Sequence, residues 1–386
     1  MLILKRREFS KLALLAAAAP LRELWAAKPN SVVDGVVIGT ITYSFRSEVP
    51  GSSEAEPLLK MVVDSGLSHI ELMPPAAENF AGAPAAGGGG GGARGGSGGR
   101  AGGGRGGEAR GAAPLYPVVA GMKTGTISDQ AAGQWNGQSC PAPGGGRAAG
   151  GRAGSGRGGG ARGFSGGGGG RGAGNEALTA WRLAQPMTKF KEFGKMYNDA
   201  GVNIYCHKLA PGVGASDAEF DYYFNIAKAM GATQISLEQG PANEHTQKLG
   251  DFAVKHGMMT AYHAHLQATI TAWDDLIAQS KGNGVNLDAG HYVAGSGKSP
   301  IPAIEKYAKM DRMCSIHLKD RTSPEHCELN LPWGQGETPI AEILQTIRKN
   351  KWKFPATIEL EYQIPAGSDA VTEVKKCYEF CKKALA

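Results

Sequence analysis

Residues 258–265 read MMTAYHAH, residues 285–291 read VNLDAGH, and residues 313–320 read MCSIHLKD. Each stretch is a short apolar run that ends directly in histidine or carboxylate side chains. Continuous apolar runs of this length are typical of strands buried on both faces of a parallel sheet. Eight such runs are present in the chain: Val36–Tyr43, Ser68–Met73, Val202–Lys208, Ala232–Glu238, Met258–His263, Val285–Asp288, Met313–His317 and Ala356–Glu361.

Helical patterns separate most of these runs. Amphipathic spacing predicts helices over Glu56–Ser65, Phe220–Ala229, Ile301–Lys309 and Ile340–Lys349. Strands that alternate with helices form parallel βαβ units, and eight repeats favour a closed (β/α)8 TIM barrel over an open sheet. We therefore expect an α/β fold, with a single barrel domain over residues 34–386.

A Gly/Arg-rich segment, residues 83–175, interrupts the pattern between the second and third strands. It holds ten lysine and arginine residues but only two acidic residues, so the rest of the chain is close to neutral although the whole carries +6. Its composition predicts a long disordered insertion, because little apolar material offsets the entropy cost of ordering. An RNA-binding interpretation is disfavoured, since aromatic residues are nearly absent from the Gly/Arg runs. We expect no nucleic-acid partner.

Residues 1–27 resemble a twin-arginine export signal. Arg6 and Arg7 precede the small-apolar run Leu12–Ala19, and Ala26-Ala27 is the best cleavage site. The run is too short to span a bilayer, so no membrane span is expected in the mature protein. The pattern predicts a periplasmic or otherwise exported protein; the alternative is a basic amphipathic helix that stays attached.

The six cysteines predict no disulfide framework. Cys140 and Cys327 fall in predicted loops, and no CxxC pair indicates a zinc ribbon or redox motif. We expect most of the cysteines to be buried as small apolar side chains.

Polar residues at the carboxyl ends of strands five to eight indicate a metal site. These ends read YHAH (262–265), NLDAGH (286–291), HLKDR (317–321) and ELEY (359–362). In a closed barrel the carboxyl ends of all strands meet at one mouth. A mixed carboxylate and imidazole set without thiolates suits one divalent ion such as Mn, Co, Mg or Zn.

These strand ends, with the stretch NLPWGQG (330–336), resemble the sugar phosphate isomerase/epimerase family of xylose-isomerase-like TIM barrels. The resemblance covers residues 34–80 and 180–386, and its most specific element is DAGH (288–291) followed by HLKD (317–320). It implies four metal ligands, His263, Asp288, His317 and Glu359. It also implies a small carbohydrate substrate, and it leaves open whether copies of the chain form a homo-oligomer.

One position departs from the family pattern. Many epimerases of this family carry a glutamate where this chain has His263, and use it with the strand-eight glutamate as two bases on opposite faces of the substrate. A metal-bound imidazole has its lone pair engaged and cannot serve as the second base. The departure favours one base, Glu359, and strengthens a lyase or dehydratase interpretation on keto-inositols or 3-keto-glycosides.

Further site residues are predicted from their places near the same mouth. We expect His291, Lys319 and Glu71 to join Glu359 in catalysis, because His291 follows Asp288 by three residues and Lys319 follows His317 by two. Glu361 shares a strand face with Glu359, so a shift of register would exchange them. Substrate contacts are assigned to His207, Glu238, His265 and Arg321.

Three functions are compatible with these residues. The leading hypothesis is a metal-dependent sugar isomerase or epimerase that abstracts the proton next to a carbonyl, and the keto-sugar lyase is its alternative. Phosphodiester hydrolysis is disfavoured because the barrel portion is nearly neutral. A carbohydrate-binding barrel that has lost catalysis is disfavoured because Glu359, His291 and Lys319 are retained.

Overall fold

A computed structural model describes residues 28–84, 134–135, 138–140 and 173–386. Eight parallel strands form the centre of the described chain. They are β1 (Val36–Ile41), β2 (His69–Leu72), β3 (Asn203–His207), β4 (Gln234–Glu238), β5 (Met259–His263), β6 (Asn283–Asp288), β7 (Met313–Leu318) and β8 (Ala356–Ile358).

The strands pair with their neighbours in chain order, and β1 pairs with both β2 and β8, which closes the sheet. Val32–Val33 adds a short antiparallel strand to β1. The closed parallel sheet confirms the predicted (β/α)8 TIM barrel.

Helices follow the strands around the outside of the barrel. They are α1 (Ala55–Asp64), α2 (Pro75–Phe80), α3 (Ala173–Ala184), α4 (Thr188–Asp199), α5 (Asp217–Met230), α6 (Glu244–His256), α7 (Asp274–Gln279), α8 (Ala289–Ser296), α9 (Ile301–Lys309), α10 (Ile340–Asn350) and α11 (Ala370–Leu385). No helix in the described ranges is both long and apolar enough to cross a bilayer.

Local sequence explains where these helices begin and end. The helix α5 starts at Ser216, whose side chain and that of Glu219 cap each other's backbone amides. It stops at Gly231, which adopts a left-handed conformation with φ of 97°. Similar signals bound α6, which begins at Asn243 and ends at Gly257.

The strand β8 is shorter than predicted. It ends at Ile358, so Glu359 stands at the first position beyond the regular strand. The first predicted strand also ends early, at Ile41, and passes into a 3-10 turn, Thr42–Phe45. Both differences lie at the carboxyl ends of the strands, where the backbone no longer pairs with its neighbours.

One irregularity changes which side chains face the barrel interior. In the pairing of β2 with β3, Ile70 lies opposite Ile204, but Glu71 lies opposite Cys206. Tyr205 is therefore an extra residue, a β-bulge that turns the following side chains by one position. Cys206 takes the same side as Glu71, and His207 turns to the helix side.

A disulfide joins Cys140 to Cys327, 187 residues apart. The prediction of no disulfide framework is corrected for this pair, because spacing along the chain does not reveal which distant loops meet in space. The other four cysteines are buried and free. Cys140 directly follows an antiparallel hairpin of Gln134–Trp135 and Gln138–Ser139. The rest of the predicted disordered insertion between Pro84 and Ala173, and residues 1–27, lie outside the described residues.

Candidate metal centre

The floor of the barrel mouth is a buried imidazole held between two carboxylates. His317 lies at the end of β7, and its Nε2 is 2.7 Å from Glu71 Oε2. Its Nδ1 is 2.8 Å from Glu359 Oε2. All three side chains are almost fully buried. Glu71 also accepts hydrogen bonds from Ser236 and Asn286, so its carboxylate is fixed below the imidazole rather than at the rim.

This arrangement sets the protonation of the floor. Burial lowers the pKa of His317, but Glu71 and Glu359 override it and raise the pKa to about 10. Burial likewise raises the pKa of Glu359, and Lys319 and His317 override it, so the pKa of Glu359 lies well below its usual range. At neutral pH Glu359 is therefore a carboxylate that lies among positive charges.

Four candidate ligands, two of them from this floor, converge at the mouth. One ligand atom from each of His263, Asp288, His317 and Glu359 lies within 4.8 Å of the others. His263 Nδ1 is buried without a hydrogen-bond partner in the described residues, and Asp288 Oδ2 is buried with the ammonium of Lys319 2.9 Å away. Burial, followed by the charge of Lys208, holds the pKa of His263 well below its usual range, which leaves the ring neutral. Neutral imidazole and carboxylate oxygens with unused lone pairs fit a divalent cation.

The DAGH motif explains how β6 delivers two of the site residues. Asp288 ends β6 and caps α8, where its Oδ1 accepts the backbone amide of His291 at 2.7 Å. A side chain on Gly290 would come within 2.3 Å of Lys319 Cγ, so only glycine lets α8 approach β7 this closely. The motif thus brings Asp288, His291 and Lys319 together.

Lys319 links the candidate ligands to a further carboxylate. Its ammonium lies 2.9 Å from Asp288, 2.9 Å from Glu359 and 2.7 Å from Glu361. Burial lowers the pKa of Lys319, but these three acids raise it above the usual value. Lys319 is therefore a permanent buried cation at the mouth.

The rim is built from two further pairs. Glu238, at the end of β4, lies 2.9 Å from Lys208 and 3.3 Å from His265. On the other side, Arg321 donates from Nη1 to His291 Nδ1 at 2.6 Å. His265 also lies next to His291 and His263, with ring centroids 4.6 Å and 5.0 Å away. Polar donors thus surround the candidate ligands.

The structure places most of the predicted site residues at this mouth. His291, Lys319, Glu238, His265 and Arg321 lie around the four candidate ligands. His207 lies apart from them, because the bulge at Tyr205 turns its ring outward. It is fully buried near Glu78, and burial lowers its pKa to about 4. Glu71 lies beneath the site and contacts His317 instead of the open mouth.

Three further polar residues of the site were not predicted. Lys208 follows β3 and reaches Glu238, while Asn286 and Ser236 hold Glu71. Asn286 and Ser236 share strand faces with Asp288 and Glu238 by the two-residue period. Asn286 and Ser236 could therefore have been predicted from this period. Lys208 could not, because it faces the mouth as a result of the bulge.

A family model described as a xylose isomerase-like TIM barrel matches residues 173–383. The match is more than half of the chain and contains strands β3 to β8, including all four candidate ligands. No curated protein sequence matches the chain.

Several solved structures resemble the chain. A xylose isomerase domain protein from Planctomyces limnophilus is 18% identical, with 52% of this chain and 82% of that chain covered and a TM-score of 0.42. A xylose isomerase-like TIM barrel protein from Mycobacterium smegmatis, in complex with magnesium, is 18% identical, with 53% and 79% covered and a TM-score of 0.39. A D-psicose 3-epimerase in the presence of D-fructose is 14% identical, with 53% and 84% covered and a TM-score of 0.37.

Proposed function

The chain belongs to the xylose isomerase-like TIM barrel family, and we propose that it is a divalent-metal-dependent enzyme that isomerises or epimerises a small sugar. The observation that carries the proposal is the convergence of His263, Asp288, His317 and Glu359, together with a His263 ring nitrogen, Nδ1, that is buried without a hydrogen-bond partner among the described residues. The bound ion, for which Mn, Co, Mg and Zn are candidates, would polarise a substrate carbonyl and stabilise an enediolate.

The orientation of His317 supports its role as a ligand. Its Nε2 faces Glu71, which other buried groups hold in place, whereas its Nδ1 faces the candidate ligand Glu359. Ligand histidines commonly donate their second ring N–H to a carboxylate, which fixes the ring and its tautomer. We therefore propose that Nδ1 binds the metal and that Nε2–H donates a hydrogen bond to Glu71. Glu71 is then a positioning residue.

The proton transfer is assigned to Glu359. Its carboxylate is ionised at neutral pH because Lys319 and His317 outweigh the effect of burial on its pKa. It can therefore accept the proton from the carbon next to the substrate carbonyl. The Lys319 ammonium, 2.9 Å from the same carboxylate, can stabilise negative charge that develops on a substrate oxygen.

A keto-sugar lyase or dehydratase is the second candidate. The imidazole of His263 stands at the end of β5, where a two-base epimerase needs a carboxylate, and its ring lies against that of His317. One-base chemistry suits isomerisation or elimination. Product analysis separates the two, since elimination releases water or an alcohol while isomerisation conserves the substrate formula.

The test is a substrate screen with the metal-loaded protein in D2O. Aldoses, ketoses, keto-inositols and 3-keto-glycosides are incubated with Mn²⁺, Co²⁺, Mg²⁺ or Zn²⁺, and recovered sugars and products are read by NMR. Exchange of the proton next to the carbonyl is expected with wild type and should be lost in Glu359→Gln. Glu56→Gln, an exposed glutamate on α1, is the matched control and should retain exchange.

The outcomes assign the base directly. If exchange survives in Glu359→Gln but disappears in Glu361→Gln, the base is Glu361 and not Glu359. An absence of turnover with every metal and sugar class, despite bound metal, would contradict the enzymatic proposal. Such a result would favour the carbohydrate-binding barrel, which equilibrium binding of the same sugars would then detect.

We also propose that the protein is exported. The twin-arginine-like segment Lys5-Arg6-Arg7 motivates this, and the Cys140–Cys327 disulfide supports it because such bonds persist in oxidising compartments. Fractionation of cells that express the full chain tests the proposal, and replacing Arg6 and Arg7 by lysine should retain the protein in the cytoplasm.

A further inference from the structure

The Cys140–Cys327 disulfide is connected to the candidate metal centre through Arg321, which contacts both Glu328 and His291. Cys327 belongs to the loop between the short antiparallel strands Asp320–Arg321 and Asn330–Leu331. The strand Gln134–Trp135 lies beside the 3-10 turn Pro324–His326 of that loop. The disulfide therefore fastens a hairpin of the insertion to the segment that carries Arg321.

The backbone of this loop is strained at the disulfide. Cys327 and Glu328 are consecutive non-glycine residues with φ of 71° and 53°. L-amino acids rarely adopt this left-handed region, and they remain there only when surrounding contacts hold them. The covalent bond to Cys140 holds Cys327. Glu328 is held by the hydrogen bond from its amide to the Ser323 carbonyl and by one of 2.5 Å from Arg321 Nη2 to its own carbonyl.

The other arm of the same guanidinium reaches the site. Arg321 Nη1 donates to Nδ1 of His291 at 2.6 Å. A guanidinium is only a donor, so this nitrogen of the neutral imidazole must be the acceptor and the ring proton must lie on Nε2. Nε2 is 3.9 Å from the Glu361 carboxylate, outside hydrogen-bond distance, and can donate to a substrate oxygen.

We infer that the disulfide positions Arg321 and thereby fixes the ring proton of His291 on Nε2, so that the site is fully active only in the oxidised protein. The inference rests on the proposed function for its catalytic consequence. His291 then orients the substrate as a fixed hydrogen-bond donor, and Arg321 is a positioning residue. Among the described residues, this covalent bond joins the insertion to the loop that contacts Arg321.

The chemistry of the bond makes the inference testable. It forms when two thiols lose two protons and two electrons to a disulfide oxidant by exchange. A phosphine reverses it, because phosphine, water and disulfide yield phosphine oxide and two thiols. The four remaining cysteines of the chain are buried and free, so the reductant has a single target.

The experiment uses the full chain labelled with ¹⁵N-histidine. Long-range ¹H–¹⁵N spectra report which ring nitrogen carries the proton, and His291→Gln assigns the signal of His291 among the nine histidines. In the oxidised, metal-free protein we expect one neutral tautomer protonated at Nε2. Reduction, Cys140→Ser and Arg321→Gln should each let the two tautomers average. Phosphine added to Cys140→Ser should cause no further change.

Kinetics supply the second measurement. Cys140→Ser and the reduced wild type should lose about tenfold in kcat to the same extent, because the donor is no longer held in place. Ring signals of His291 that stay unchanged in Cys140→Ser would overturn the inference, even if Arg321→Gln changes them. These spectra need no turnover, so a failed substrate screen would count against the proposed function alone.

Discussion

Two buried clusters of charged residues differ in how completely their groups are paired. On the outside of the barrel, Glu78 of α2 accepts two hydrogen bonds from Arg182 of α3, at 2.7 and 2.8 Å, and a third from Tyr222. At the mouth, Lys319 is shared by Asp288, Glu359 and Glu361. There His263 Nδ1 has no hydrogen-bond partner in the described residues.

This difference indicates that the outer cluster serves stability and that the mouth serves ligand binding. The outer cluster balances one negative charge with one positive charge, and it joins the helices on either side of the insertion. At the mouth three acids share one lysine, and a ring nitrogen of His263 stays without a hydrogen bond among the described residues. Buried groups of this kind cost free energy unless something else binds them. A divalent cation would satisfy them, so only the mouth has the character of a binding site.

The largest expected effect is on function, from Asp288→Asn. Asparagine keeps the Oδ1 acceptor that caps α8 but removes the charge. Metal binding should be lost, and activity should fall by about a thousandfold or more, since a bound metal supplies several kcal/mol of transition-state stabilisation. Mn²⁺ at 100 times its Kd should stabilise the wild type by about 2.7 kcal/mol and the variant not at all. Calorimetric titration and thermal melts measure both.

A matched control distinguishes the ligand from the cap. Asp369 caps α11 by accepting the amide of Thr372 at 2.7 Å, and it lies on the surface. Asp369→Asn should leave metal binding and turnover unchanged. Equal loss of metal affinity in both variants would mean that helix capping, and not ligation, explains the effect of Asp288→Asn.

The next effect is on stability, from Arg182→Met. This change leaves the nearly buried carboxylate of Glu78 without its cation and should cost about 3–5 kcal/mol of unfolding free energy. The double variant Glu78→Gln/Arg182→Met should recover most of the loss, because no charge remains unpaired. Urea denaturation measures both, and metal affinity should stay at the wild-type value. A weaker metal affinity in Arg182→Met would show that the two clusters are coupled.

The sequence predicted the barrel because its signals are local. Apolar runs such as Met313–His317 act within a few positions, and the structure has a strand there. The gathering of His263, Asp288, His317 and Glu359 follows from closure alone, since parallel strands end at one face.

Other features depend on contacts that no spacing along the chain encodes. The place of His207 is decided by an extra residue, Tyr205, in one strand pair. A bulge leaves no mark in hydrophobic periodicity, so the place of His207 at the end of a predicted strand did not reveal that its ring faces the helices. The Cys140–Cys327 bond likewise depends on where two loops meet. The sequence places Glu71 at a strand end but does not show whether its side chain faces the mouth or lies beneath it, where the structure has it in contact with His317.

The smallest expected effect concerns His207, the predicted substrate contact that lies apart from the four candidate ligands. Burial lowers the pKa of His207 to about 4, against 6.5 for an ordinary histidine. The unfolded chain therefore takes up a proton first as the pH falls, so stability from the neutral ring is complete above pH 6.5 and is lost progressively toward pH 4. The loss should approach about 3 kcal/mol over that window. Urea unfolding at a series of pH values should show that the unfolding free energy depends less steeply on pH in His207→Leu than in wild type. Metal binding at neutral pH should be unchanged. If His207→Leu instead keeps the wild-type dependence of unfolding free energy on pH but no longer binds metal, His207 belongs to the metal centre. The mouth would then not be separate from the helix side of the barrel.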